Sequence, residues 1–439
     1  MSAEGWNHFK FEDICTKIGS GATPTGGANA YKNAGISLIR SQNVRDFSFS
    51  NEGLAFIDDE QAEKLKSVTV SSGDVLLNIT GDSVARSCIV TDEVLPARVN
   101  QHVSIIRVNE SLSNNKFVFY YTQHIKPYLL SLAGNGATRN ALTKAMIEQL
   151  DILLPPLPEQ RAIAATLAAL DDKIELNNRI NKTLEEIAQA LFKRWFVDFE
   201  FPGENGQPYK SSGGEMEESE LGLIPKGWKI LALGEIIETV NGFSYKGSDI
   251  KESVNAMMTI KNFNRNGGFN AVGFKEIEIS ERVKDKHHVD LFDVVVACTD
   301  ITQKADIIGN PVLVLTKGKY RKIVISMDLV KVIVKHPFIS NCLIYMFLKD
   351  IRFKKQALGY TSGTTVLHLN KMVFSDYPII IPEDEKLLEK MSFIIEPIFH
   401  LIGMTIDNSQ NLTSLRDALL PKLMSGEIRV PIEEVAADV

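Results

Sequence analysis

Cysteine is scarce: four residues in 439, Cys15, Cys88, Cys298 and Cys342, far apart, with no Cys-x-x-Cys and no Cys/His cluster. That argues against a disulfide framework and a structural zinc site, and it suits a reducing cytoplasm. No apolar run approaches the ~18 residues of a membrane span. The opening MSAEGWNHFKFEDICTK lacks the apolar stretch of a signal peptide. The expectation is a cytoplasmic chain with no membrane association. Catalytic signatures are missing too. There is no Gly-x-x-x-x-Gly-Lys-Ser/Thr, no Gly-x-Ser-x-Gly, no His-Glu-x-x-His and no Asn/Asp-Pro-Pro-aromatic tetrapeptide of the kind that marks amino-methyltransferases. Gly19–Gly27 is no dinucleotide fingerprint, because Pro24 stands where the third glycine is needed; it reads as a turn. His287-His288 sits in a charged turn, and Asp384-Glu385-Lys386 opens a helical pattern, where capping explains it. The chain is therefore expected to have no catalytic residues, no metal site and no cofactor of its own.

What is present is ample core material, 44% hydrophobic residues against 23% charged, enough for about three units at roughly 150 residues each, or two large ones with connectors. The net charge of −7 is unevenly spread. Residues 229–381 carry 21 Lys and Arg against 15 Asp and Glu, whereas residues 156–228 carry 8 against 13 and residues 382–439 carry 5 against 11. A basic globular block between acidic segments leaves nucleic acid open as a partner, which the total alone would discourage.

The strongest internal signal is a repeat. Gly5-Trp6, followed by Phe11, Asp13 and Ile14, matches Gly227-Trp228, followed by Leu233, Glu235 and Ile236. Gly73-Asp74-Val75-Leu76-Leu77 matches Phe292-Asp293-Val294-Val295-Val296. Gly136, Leu142, Lys144 and Pro155 match Gly363, Leu369, Lys371 and Pro382. These matches, in one order through both halves, indicate a tandem duplication. Each copy predicts strands, at Ile36–Arg40, Asp74–Ile79, Val103–Val108 and Gln149–Leu154, and at Met257–Ile260, Asp293–Ala297, Met327–Val334 and Tyr377–Ile381. Helical patterns fall at Lys116–Leu132 and Ile339–Leu358.

A heptad seam then follows each copy. In the first, Ile163, Leu167, Leu170, Ile174, Asn177, Asn181, Leu184, Ala188 and Leu191 alternate spacings of four and three; in the second, Leu387 to Leu419 does the same. Asn177, Asn181 and Asn408 are polar seam residues that can fix register. Pro397 is expected to kink the second helix. The Gly-, Pro-, Ser- and Glu-rich stretch from Phe201 to Lys226 reads as a linker. The fold class is α/β (mixed α+β), in two tandem domains, each followed by a long helix, the helices pairing as an antiparallel coiled coil. The expected boundaries are 1–155, 156–200, 201–228, 229–381, 382–426 and a tail at 427–439.

This plan resembles the specificity (S) subunit of type I restriction-modification systems. The stretch Leu153–Ala164 (LLPPLPEQRAIA) is the most telling motif, and Ile187–Phe199, Glu220–Trp228 and Leu415–Glu427 are similar to the family as well. The second helix start, Ile381-Pro382-Glu383-Asp384-Glu385, departs from the first. The resemblance implies two target-recognition domains, each reading one half of a split site on double-stranded DNA. It implies helices that hold the domains apart and dock two methyltransferase (M) subunits, with restriction/translocase (R) subunits joining. S-adenosylmethionine, ATP and magnesium would reside on those partners. Base edges need Arg, Lys, Asn, Gln and small hydroxyls. In the first block the candidate DNA-binding residues are therefore Arg40, Gln42, Asn43, Arg45, Thr80, Asp82, Arg86, Thr138, Arg139 and Asn140. In the second they are Lys261, Asn262, Asn264, Arg265, Thr299, Thr302, Lys304, Thr361, Ser362 and Thr364. The candidate partner-binding residues are Glu159, Gln160, Ile163, Leu167, Leu170, Ile187, Leu191, Leu415 and Leu419. Two competing readings are a coiled-coil interaction scaffold that reads no DNA, and a self-contained methyltransferase or nuclease.

Overall fold

The computed structural model describes residues 5–134, 141–265 and 267–431. It divides into two compact units, one formed by residues up to Ile174 with those from Asn411 onward, the other by Glu175–Gln410.

In the first unit, strand Asn7–Lys10 runs antiparallel to Asp151–Leu154, with Asn7 opposite Leu154. An antiparallel sheet follows in the order Cys15–Ser20, Val103–Val108, Val75–Asn78, Ser87–Ile89. A second sheet has the order Ala55–Ile57, Ile36–Ile39, Ala97–Val99, Thr69–Val70, its middle pair parallel. The run Val75-Leu76-Leu77 is wholly buried because successive side chains serve different cores. Val75 and Leu77 join the cluster containing Phe117 and Leu167, while Leu76 joins Leu38, Val99 and Ile105 between the sheets.

The second unit repeats this plan. Trp228–Ala232 pairs with Pro378–Pro382. One sheet has the order Ile237–Asn241, Leu329–Val334, Val294–Ala297, Pro311–Leu313, and the other Lys275–Glu276, Asn255–Met258, Lys322–Ile325, His288–Val289, again with a parallel middle pair. Val294 and Val296 face one core, Val295 and Ala297 the other. The duplication reaches single side chains. Asp74 accepts from the Ser71 N–H (2.7 Å) and from Arg107 (2.7 Å); Asp293 accepts from the Asp290 N–H (2.7 Å) and from Lys331 (2.6 Å). Beside them Gly73 has φ +79° and Phe292 φ +66°. A Cβ on Gly21 would lie 1.7 Å from the Val99 carbonyl oxygen, and one on Gly242 1.9 Å from that of Ser326; both copies need glycine there. Asp74→Ala strands a guanidinium and an N–H around a carboxylate position only 1% exposed. We expect a loss of about 3 kcal/mol and a fall of roughly 6–12 °C in the first thermal transition, measurable by calorimetry.

The helical patterns at 116–132 and 339–358 each resolve into two helices, for different reasons. Asn115–His124 stops before Lys126–Gly134, where Pro127 lacks an N–H and restricts the residue before it. Asn341–Lys349 stops at Asp350, which is extended (φ −60°, ψ 139°) and whose carboxylate accepts from the Arg352 N–H (2.7 Å) to start Ile351–Gly359.

The two long helices are Leu157–Phe196 and Glu385–Met424, 40 residues each. The second continues through Pro397 without interruption, and the Asp384 carboxylate caps its start by accepting from the Lys386 N–H (3.0 Å). Both units show antiparallel contacts between them. In the first, Glu159 meets Arg429 (2.8 Å) and Asp171 meets Arg416 (2.7 Å); in the second, Asn177 donates to Asn408 (2.9 Å), and Asn181 accepts from Thr405. Partner numbers fall as positions rise, as an antiparallel pair requires. The seam of the second helix is broader than its heptads suggest. Leu388, Met391, Ile395, Phe399 and Ile402 are buried in the core of their own unit, whereas Leu401 is exposed. An apolar stripe three to four residues wide per two turns serves both a domain core and a neighbouring helix.

The stretch expected to be a linker contains a hairpin, Met216–Ser219 with Gly222–Pro225. Phe199 and Phe201 flank Trp228 at ring distances of 5.6 and 4.9 Å. Gly, Pro and Ser mark turns here rather than a slack tether, and the aromatics at its two ends anchor it.

Candidate nucleic-acid interface

In the first unit the strand Ile36–Ile39 ends in a loop whose residue Asn43 is fully buried. Its Oδ1 accepts from the Arg40 N–H (3.0 Å), and its amide donates to the carbonyls of Ser50 (2.8 Å) and Glu52 (3.2 Å). Asn262 holds the second unit's loop in the same way: it accepts from the Thr259 N–H (3.0 Å) and donates to the Asn270 carbonyl (3.0 Å), again fully buried. Both asparagines were candidates for base contact. Their amides are spent on closing the loops, so they shape the surface and do not present an edge to a ligand.

The loop after Val75–Asn78 lies against the first. Asn78 donates to the carbonyls of Ser41 (2.9 Å) and Val44 (3.2 Å). Together they form a shallow, open depression of about 410 Å³ lined by Ser41, Gln42, Thr80, Gly81, Asp82, Ser83, Arg86 and His102. These side chains are polar, so the depression suits hydrogen bonding to a polar edge rather than an enclosed apolar ligand. Gln42, Asp82 and Arg86 are exposed there. Thr80 shares a 2.6 Å hydrogen bond with His102 Nδ1, and Gln101 lies 2.9 Å from Nε2 on the far side of the ring. Arg40 donates to the Gly53 carbonyl (2.6 Å), and Arg45 pairs with Glu52 (3.0 Å) while remaining exposed. Thr138, Arg139 and Asn140 lie outside the described residues; Ala141, next to them, bridges to Thr80. His102 was not singled out from sequence. His102 lies on no recognisable motif, and only the fold brings it beneath Thr80.

In the second unit the later two loops meet. Thr299–Asp300 pairs with Leu367–Leu369, which pairs with Thr361–Ser362, and the Gln303 amide donates to the Thr364 carbonyl. Thr299 is largely buried and donates to Asp328 (3.1 Å); Thr302 donates to Asp300 (2.8 Å); Thr361 donates to the Ala357 carbonyl (2.9 Å). These three hydroxyls are structural. Lys304, Ser362 and Thr364 are exposed, as are Lys261, Asn264 and Arg265 on the first loop. Burial pushes the Asp300 carboxyl up, but the N–H groups of Ile307, Thr302 and Ile308 and the Thr302 hydroxyl outweigh it and hold the group below its ordinary value of 3.8. The folded loop therefore gains stability above that value and loses it as pH falls through the lowered one. The Thr302 and Ile307 amide resonances should titrate together below pH 3.8, and Asp300→Asn should abolish that titration.

The helix candidates separate by burial. Glu159, Gln160, Ile163 and Leu167 are almost wholly covered within the first unit. Gln160 donates to the Pro155 carbonyl (2.9 Å) and accepts from the Asn114 N–H (2.9 Å), so these four brace the helix start against its own domain and offer little to a partner. Leu170, Leu191 and Leu419 are half-buried, while Ile187 and Leu415 are exposed.

Fold and loops define a duplicated α/β architecture with polar loops at corresponding strand ends and two long helices. Residues 3–186 match the family described as type I restriction modification DNA specificity domain. The chain is 26% identical over 433 residues to the MjaIX type I restriction enzyme specificity subunit of Methanocaldococcus jannaschii, covering 97% of this chain and 94% of that protein. It is 22% identical to the HindI specificity subunit of Haemophilus influenzae, covering 96% and 99%. A crystal structure of a type I S subunit from M. genitalium shares the fold, with a TM-score of 0.57 at 13% identity over 96% of this chain and 99% of that one. Over nearly its whole length the chain is thus similar to type I restriction enzyme specificity subunits, and its N-terminal part matches their DNA specificity domain.

Proposed function

We propose that the chain reads a bipartite site on double-stranded DNA and positions adenine methyltransferase subunits, and with them restriction/translocase subunits, on it. The observation that carries this reading is the pairing of polar loops at corresponding strand ends of both copies, one set closing over a depression lined by Gln42, Thr80, Asp82, Arg86 and His102. Gln42, Arg45, Thr80, Asp82 and Arg86 form the base- and phosphate-facing set of the first copy. Lys261, Asn264, Arg265, Lys304, Ser362 and Thr364 form that of the second. Ile187 and Leu415 remain the helix positions offered to partners. No helix among the described residues is long and apolar enough to cross a membrane, in keeping with a place beside cytoplasmic DNA.

Co-expression with a methyltransferase subunit, followed by genome-wide mapping of modified adenines, tests the reading. Two short half-sites around a fixed unread gap are expected; a stable complex that modifies nothing would refute it. Binding should also weaken steeply with salt, by about 10³-fold or more between 50 and 200 mM if six or more phosphates are contacted. A flat salt response would instead favour an interaction scaffold.

A further inference from the structure

The first recognition loop is gripped by a side chain of the second long helix. Val44–Arg45 and Ser48–Phe49 form a small hairpin, Val44 opposite Phe49 and Arg45 opposite Ser48, turning through Asp46 and Phe47. Phe47 has φ +62°, at the turn position where a positive φ calls for glycine. A phenylalanine there is strained, so its ring must gain something from its surroundings. That ring packs edge-on against Phe119 at 6.0 Å, and the Arg416 guanidinium lies over its face at 3.5 Å from the centroid.

Arg416 comes from the second long helix and is only 7% exposed. It is held in place by Asp171 (2.7 Å) and Asp417 (2.8 Å), and Asp171 in turn accepts from the Tyr120 hydroxyl (2.6 Å). Lys126 grips the neighbouring Asp46 (2.5 Å). At its other end the same loop carries Ser41 and Gln42 into the polar depression, and Asn78 ties Val44 to that floor. The hairpin thus joins the helix pair to the reading surface within one unit. In the second unit the corresponding loop closes on itself, through a bridge between Phe263 and Phe269.

We propose that Arg416 is a positioning residue for reading of the first half-site: stacked on Phe47, it sets where Gln42 and Arg45 stand. The C-terminal helix therefore takes part in base selection by the N-terminal block. This inference rests on the DNA-reading function proposed above.

The test is selection by the full-length chain from a randomised duplex library of about three helical turns, ~30 base pairs, with wild type, Arg416→Gln, Arg416→Lys and Phe47→Gly. Phe47→Gly relieves the turn while removing the ring, so it separates positioning from stability. For Arg416→Gln and Phe47→Gly, discrimination at the first half-site should fall about tenfold, with the second half-site unchanged. Arg416→Lys, which keeps a cation near the ring, should restore part of it. If Phe47→Gly keeps its fold and full first-half discrimination, the role of Arg416 is refuted while DNA reading stands. Equal loss at both halves would also refute it, as that is the mark of general destabilisation. If wild type selects no sequence at all, the DNA-reading proposal fails and takes this one with it.

Discussion

Exchange of residues 229–381 for the corresponding block of a relative is expected to change one half of the recognised motif completely and leave the other half as it was. The chain enters and leaves this block at adjacent points, since Trp228 lies opposite Pro382 in the strand pair that closes it. Close termini let a block be replaced without re-routing the rest of the chain. The difficulty lies in the core. The cluster that includes Val294, Leu343 and Phe374 continues into Phe192, Trp195 and Phe196 of the first long helix and Leu388, Met391, Ile395 and Phe399 of the second. Phe196 alone touches Phe192, Trp228 and Phe347 at ring distances of 5.2, 5.8 and 5.0 Å. A graft whose inner face differs in shape there would leave cavities, at about 24 cal/mol per Å³ of unfilled volume. The exchange should succeed when the donor matches those seven helix residues, and fail as insolubility when it does not. Methylome mapping of the grafted complex decides the matter. A motif altered in both halves would show that the two readers are not independent.

Much of the architecture was legible because duplication let weak patterns be read twice. All eight expected strands are present to within about two residues, and helices of 40 residues stand where both apolar periodicities lie, although the buried stripe of the second runs through Leu388, Ile395, Phe399 and Ile402 rather than along its heptads. Individual side chains were harder to place. Asn43 and Asn262 have the composition of base readers and occupy loops that follow strands, yet both face inward. A residue's hydrogen-bonding capacity does not reveal whether the backbone of its own loop has already claimed it. The same holds for Thr299, Thr302 and Thr361. Glu159 and Gln160 stand in the most family-like motif of the chain, but their burial assigns the motif to bracing a helix against its domain. Arg416 was legible only as part of a helical motif, because its contacts to Phe47 and Asp171 span hundreds of residues in sequence. Where a role depends on long-range partners, periodicity carries no signal.

Lengthening both long helices together is expected to alter the unread gap of the site while leaving each half-site unchanged. The insertion points are between Ile174 and Glu175 and between Gln410 and Asn411, where the two compact units meet along the chain. A heptad adds about 10 Å of helix and turns it through nearly two full turns, so the apolar faces return to within ~20° of their former direction. The contacts within each unit survive such a change. Glu159 keeps Arg429 and Asp171 keeps Arg416 on one side; Asn177 keeps Asn408 and Asn181 keeps Thr405 on the other. An insertion in one helix alone cannot be absorbed this way. The unaltered helix would have to span a longer path with the same residues, and one set of these pairs must break. Because Asn177 is only 2% exposed, a slip that buries its amide without a partner costs about 1–3 kcal/mol. The single insertions should therefore lower the thermal midpoint and weaken modification everywhere, whereas the double insertion should retain stability and move modification to sites with a different gap. If the doubly lengthened protein is stable and still modifies the original sites, the helices do not set the spacing, and the gap must be fixed by the partner subunits instead.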